Sequence, residues 1–332
     1  MTNVVITGGA GFLGSRLARE LLAAGSLGVA GGEPGPLTGV TLIDRAPVPA
    51  DLAADARVTA IRGELPDLVA AGPGPLADAG VIFHLAAAVS GECEADFDLG
   101  MRANLAATEA LLACVRALGT SPVVVFSSSF AVFGICDEHP LPAVLGDDTL
   151  PTPQSSYGVQ KFIGEQLLAD YTRKGFLDGR AVRLATVSVR PGRPNAAASG
   201  FASGIVREPL AGQRAICPVD PGTEVALASP AKAGAALLCA ATSADPVWGG
   251  RTALTMPALT ITVADMAAAL TRVAGPQVSA LIDWIPDPAV ERIVSTWPAR
   301  FRADRAGRLG LRPDPDYASV IRAHIAESAR PG

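Results

Sequence analysis

The octapeptide Thr7-Gly8-Gly9-Ala10-Gly11-Phe12-Leu13-Gly14 directly follows the apolar run Val4-Val5-Ile6 and opens a helical stretch that runs to Ala24. Glycines at 8, 11 and 14 between a strand and a helix leave few folds open. They mark a sharp turn, a close approach of backbone to a pyrophosphate, and tight helix-on-strand packing, three places where a Cβ would be in the way. The helix that starts there offers unpaired N–H groups and a favourable dipole to phosphate. Gly8, Gly11, Phe12, Leu13 and Gly14 are therefore expected to form the phosphate-binding turn of a dinucleotide site in the first βαβ unit of the chain.

The rest of the first 190 residues agrees with that start. Strand-like runs at Val40–Ile43, Val58–Ile61, Val81–Leu85, Val123–Ser127 and Ala181–Val189 alternate with helical patterns at Leu99–Leu118 and Ser156–Arg173. Such alternation builds a parallel sheet with helices on both faces. The fold class expected is α/β, a Rossmann-type doubly wound parallel sheet with a smaller C-terminal substrate-binding lobe. The first domain is read as 1–192 and the lobe as 193–332, with some late segments returning to the first domain. Gly25 to Gly39, rich in Gly and Pro, reads as an extended surface loop.

Bulk properties narrow the partners. A net charge of −5 and a pI near 5.3 give no reason to expect nucleic acid, which is bound through clustered Lys and Arg. Alanine-rich stretches such as Ala233–Ala241 are too short to span a bilayer, so no membrane is expected. The five scattered cysteines cannot all pair and form no Cys-x-x-Cys, which suits a reducing cytoplasm, and no leader is expected before the first strand. Only His84, His139 and His324 are available to ligate a metal, without suitable spacing, and no metal is expected. A small-molecule ligand is the default, with a homodimer as a further possibility.

Asp44 ends the second long strand, Thr41-Leu42-Ile43-Asp44, where a carboxylate can accept the ribose hydroxyls and would repel a 2′-phosphate. That favours NAD over NADP. Glu64, after the third strand, could face the adenine edge, or could be an ordinary loop acid. Farther on, Tyr157 and Lys161 stand four apart on the Ser156–Arg173 helix, so both project from one face. A phenol of pKa ~10 is a poor base at neutral pH, and a neighbouring ammonium favours its charged form. Glu165, one turn beyond, reads as a solvated helix residue.

These pieces, together with His84-Leu85-Ala86-Ala87, Asn104, Ser127 to Gly134 and Arg190-Pro191-Gly192, resemble the extended short-chain dehydrogenase/reductases, the NAD-dependent epimerase/dehydratase family. The resemblance covers the first 192 residues in the family's order. It implies NAD as cofactor, held by the glycine turn, Asp44, Ala86, Ala87 and Asn104, with Lys161 on the nicotinamide ribose. It makes Tyr157 the acid/base and Ser129 the residue that orients the substrate hydroxyl or carbonyl, with Ser127 and Ser128 as competitors for that duty. His84 would be structural. Phe133 departs from the family, which usually has tyrosine there.

The stretches Arg190–Asn195, Ala198–Leu210 and Cys217–Val219, and earlier the loop Ala87–Asp98 after the fourth strand, resemble the branch of that family that oxidises small sugar acids. A compact acid needs one fixed cation for its carboxylate, and arginine supplies a planar fork. Arg207 is the expected carboxylate ligand, or else a surface partner of Glu208. Ser90, Asn195, Ser199 and Ser203 could bond the remaining hydroxyls. A nucleotide-sugar epimerase or dehydratase using the same triad remains open, as does a non-catalytic NAD-binding regulator.

Overall fold

The computed structural model describes residues 2–138, 140–192 and 198–329. Its centre is an eight-stranded sheet made of β1 (Thr2–Thr7), β2 (Ser26–Leu27), β3 (Gly35–Asp44), β4 (Val58–Arg62), β5 (Val81–His84), β6 (Val123–Ser129), β7 (Asp178–Leu184) and a late strand, Leu254–Thr255. The path runs from the late strand through β7, β6, β5 and β1 to β3, with β2 and β4 both on β3. Every pairing is parallel except that of β2 with β3. Strand order reverses on either side of β1, and such a switch point opens a crevice at the carboxyl ends of the strands.

Central strands of a covered parallel sheet are apolar on both faces, and β1, β5 and β6 are. Val4, Ile6 and Val125 pack on one side against Leu17 and Leu21 of the helix Phe12–Ala24 and against Leu237 of the helix Pro230–Thr242. Val5, Ile82 and Val124 pack on the other against Leu111, Val115 and Leu168. Residues after 192 divide between two cores. Helix Pro230–Thr242 and the Leu254–Thr255 strand return to the large sheet, whereas Phe201, Ile205, Met266, Leu270, Tyr317 and Ile321 make a second, smaller core.

Three local expectations change. The Gly25–Gly39 segment is not a plain loop: β2 and the start of β3 form an antiparallel ribbon that buries Leu27 and Leu37, and Ala30 and Gly31 donate to the Ala241 and Thr242 carbonyls. The Leu99–Leu118 helix contains a π-helical segment, Met101–Ala106, a widened turn that sets Asn104 inward. The expected strand Ala181–Val189 breaks after Leu184; Thr186 and Val187 form β8 and leave for a three-stranded sheet with Glu224–Ala228 and Leu259–Thr262. That departure carries residues 184–187 along the wall of the crevice.

Candidate active site

One cleft runs along the carboxyl ends of β1, β5 and β6, from the glycine turn to the smaller lobe. At its first end Gly8 has φ 73°, and a Cβ on it would stand 2.8 Å from the Ala86 nitrogen. A Cβ on Gly14 would stand 2.1 Å from the Gly8 carbonyl oxygen. The helix behind the turn begins at Gly11 with no side-chain cap and no acidic residue in its first turn, leaving its N–H groups open to an anion. Gly11, Phe12 and Leu13 line the cleft there. This cradle fits a dinucleotide pyrophosphate. Asp44 braces it, its carboxylate accepting from the Ala10 N–H at 3.0 Å and from the Ala46 N–H at 2.9 Å. Glu64 is exposed, 3.6 Å from Arg45.

The triad residues line the middle of the same cleft. The helix carrying Tyr157 and Lys161 starts at Ser155, whose hydroxyl accepts from the Gly158 N–H at 3.1 Å, and Glu94 accepts from the Ser156 N–H at 2.7 Å. Gly158 lets this helix lie against the turn after β6; a Cβ there would stand 2.1 Å from the Ala131 carbonyl oxygen. The three serines ending β6 have separate duties. Ser127 donates to the His84 carbonyl at 3.1 Å and Ser128 to Glu165 at 2.5 Å, whereas Ser129 accepts from the Ala131 N–H at 3.1 Å and lines the cleft with Tyr157.

Lys161 is buried, and its ammonium donates to the Ser127 carbonyl at 2.8 Å, 4.9 Å from the centre of the Phe126 ring and 5.6 Å from that of Tyr157. Burial brings its pKa down to about 8. The sequence led us to expect a phenol lowered by this ammonium, but burial prevails and pushes Tyr157 up to about 12, the Ser129 hydroxyl and the Arg190 charge opposing it. The resting site thus holds Tyr157 as a proton donor beside a hydroxyl and two cations.

Ala87, Ser90 and Ser199 line the cleft, and the Ala86 N–H donates to Thr7 Oγ1 at 3.3 Å. Asn195 and His139 lie outside the described residues. Asn104 is buried behind the wall: its amide joins the Ala88 N–H (2.7 Å) and carbonyl (3.2 Å), the Cys93 thiol, and Gln160 on the catalytic helix (2.8 Å). Arg207 does not reach the cleft. Its guanidinium donates to the Arg190 carbonyl at 2.7 Å and to Glu208 at 2.6 Å, a pairing fixed by the adjacent acid. The arginine lining the cleft is Arg190. Its N–H donates to Ser203 Oγ at 3.0 Å, so Ser203 and Arg207 clamp its backbone from both sides, and among the described residues it has no ion-pair partner.

Glu165 is a correction. It is 3 % exposed rather than solvated, and Arg183 on β7 grips it at 2.9 and 2.7 Å. Sequence reasoning missed this pair because its halves lie on a helix and a strand with no local signal joining them. Among the described residues no group of three or more His, Cys, Asp or Glu could hold a metal, and no helix is long and apolar enough to cross a membrane.

A phosphate cradle at a Rossmann switch point, with serine, tyrosine and lysine converging beside it, defines a class of nicotinamide-dependent enzymes. The description of the NAD dependent epimerase/dehydratase family matches residues 4–225, and the chain belongs to that family. Its cofactor is NAD. The chain is 51% identical to a D-erythronate dehydrogenase of Cupriavidus necator, over 98% of each, and 38% identical to one of Haemophilus influenzae, over 97% of this chain and 98% of that one. Among solved structures, a nucleoside-diphosphate-sugar epimerase from Agrobacterium tumefaciens superposes with a TM-score of 0.84 at 41% identity, over 98% of this chain and 94% of that one.

Proposed function

We propose that this NAD-dependent dehydrogenase oxidises a small free sugar acid at its C2 hydroxyl, D-erythronate being the preferred substrate and 2-dehydro-D-erythronate and NADH the products. The observation that carries the reading is the pairing of Tyr157 with Arg190 in one cleft, an acid/base beside a cation that lacks a carboxylate partner among the described residues. The names of the two relatives that span nearly the whole chain support it.

In this reading Tyr157 first gives up its phenolic proton to solvent, and the phenolate Oη then takes the proton from the C2 hydroxyl as the hydride leaves C2. The cofactor, when bound, supplies the hydride acceptor. Ser129 donates to the oxygen as it becomes a carbonyl, and Lys161 holds the cofactor ribose. Arg190 takes the carboxylate with its planar fork, and its charge also favours the phenolate. Arg207, the carboxylate ligand expected from the sequence, acts one step back by fixing the Arg190 backbone. Ser90 and Ser199 bond the outer hydroxyls, and Asn195 joins them on the strength of the sequence alone.

The test offers D-erythronate and a UDP-hexose, each with NAD, and reads absorbance of released NADH. Stoichiometric NADH with the acid alone is expected. Sugar epimerisation without net NADH would overturn the reading. Arg190→Ala should raise KM for the acid tenfold or more and leave NAD affinity within about twofold, the loss of a charge-assisted pair. Arg190→Lys should recover part, and Arg207→Ala should cost less than Arg190→Ala.

A further inference from the structure

The buried Glu165–Arg183 pair lies behind the reacting groups. Glu165 stands one turn after Lys161 on the same helix, so the two side chains share a face. Its carboxylate is filled: Arg183 Nε and Nη2 occupy both oxygens, and Ser128 Oγ donates to one of them. Arg183 is held in turn, 4.9 Å from the centre of the Phe133 ring and in register with Ser128 across β6 and β7. A bidentate pair this enclosed contributes little net stability over an apolar replacement, so its stability alone does not account for it.

We infer that Glu165 is a positioning residue that keeps Lys161 cationic and anchors the end of β6 from which Ser129 projects. Glu94, which lines the same cleft, is engaged at the start of the helix on the Ser156 N–H, and the other described groups around the Lys161 ammonium are neutral at working pH. His84 on β5 is neutral, Tyr157 is a phenol, and burial raises the Cys93 thiol of the Ser90–Ala95 helix and keeps it protonated. Ser127 offers only a carbonyl. Burial draws Lys161 down to about 8, opposed by Cys93 and by Glu165; with the Cys93 thiol protonated, Glu165 is the charged one of these two. An anion stabilises an ammonium, so removing it lets the proton leave at lower pH; the Arg183 cation left behind pushes the same way.

The test needs no substrate. The chain has three lysines, Lys161, Lys174 and Lys232, so 13Cε-lysine NMR of the protein without cofactor follows Lys161 directly, with Lys161→Ala giving the assignment. Glu165→Gln should lower its midpoint by about one pH unit or more. The alkaline limb of kcat should fall by the same amount, while Glu165→Asp stays near wild type in both. A Gln variant whose midpoint is unmoved, or whose kcat falls equally at all pH values, overturns the inference. Should the Gln variant not fold, Arg183→Gln gives an independent reading: with a cation removed and the carboxylate kept, the midpoint should rise, and a fall overturns the inference.

Discussion

Ser127, Ser128 and Ser129 are chemically identical, and the pleat of β6 separates them. Alternate side chains point to opposite faces; all three line the cleft, but the Ser128 hydroxyl donates to Glu165 and the Ser127 hydroxyl to the His84 carbonyl, which leaves Ser129 to serve the substrate. Ser129→Ala should therefore lower kcat about a hundredfold, the scale of one lost donor to a developing oxyanion. Ser128→Ala should act through the position of Ser129 and cost less. Tyr157→Phe should abolish turnover and leave NAD affinity, read by fluorescence titration, nearly intact; retained activity would remove Tyr157 as the acid/base. The triad positions were legible because a four-residue spacing and a strand-ending serine run are local patterns. The standing of Arg207 and Arg190 was not, since only the fold decides which of them faces the cleft. The same holds for Glu165, whose burial depends on an arginine delivered by a different strand.

At the scale of elements, the glycine turn and its flanking strand and helix were readable because each glycine answers a steric demand. Gly14→Ala tests this. The new Cβ would meet the Gly8 carbonyl oxygen at 2.1 Å, a backbone atom that cannot step aside without moving the turn. NAD affinity should fall at least about tenfold and Tm should drop by several degrees, as for other overpacked core sites. Gly74→Ala is the control: nothing lies within 4 Å of its Cβ position, and its Tm should stay within about two degrees of wild type. An unchanged Gly14→Ala protein would mean that the turn yields more easily than its geometry implies. The β2 ribbon and the π-helical segment were illegible for an opposite reason. Neither follows from local propensity; the ribbon is set by docking on the Pro230–Thr242 helix, and the widened turn by Asn104 reaching Ala88 and Gln160.

For the whole molecule, the alternation up to residue 192 announced a parallel sheet, but the later chain divides its apolar residues between two cores and carries no single period that would reveal it. One buried group links that architecture to a measurable pH dependence. His84 joins three elements, its ring nitrogens bonding Thr7 of β1 at 2.7 Å and Thr108 of the Ala107–Leu118 helix at 3.0 Å. Burial, helped by the Lys161 charge, brings its pKa down to about 3. An unfolded histidine titrates near 6.5, so below that pH the unfolded chain binds a proton that the folded one refuses. The stability this neutral imidazole contributes is complete above about pH 6.5 and is lost as pH falls toward 3, at up to about 1.4 kcal/mol per pH unit. His324, also lowered by burial, adds a smaller loss in the same range, whereas Asp55, held near 2 by Arg57, acts only at lower pH. Denaturant unfolding of His84→Gln should therefore give a lower stability at pH 7 but a shallower decline between pH 6 and pH 4.5, by nearly one proton's worth of slope. Parallel declines in variant and wild type would assign the acid sensitivity of the fold to other groups.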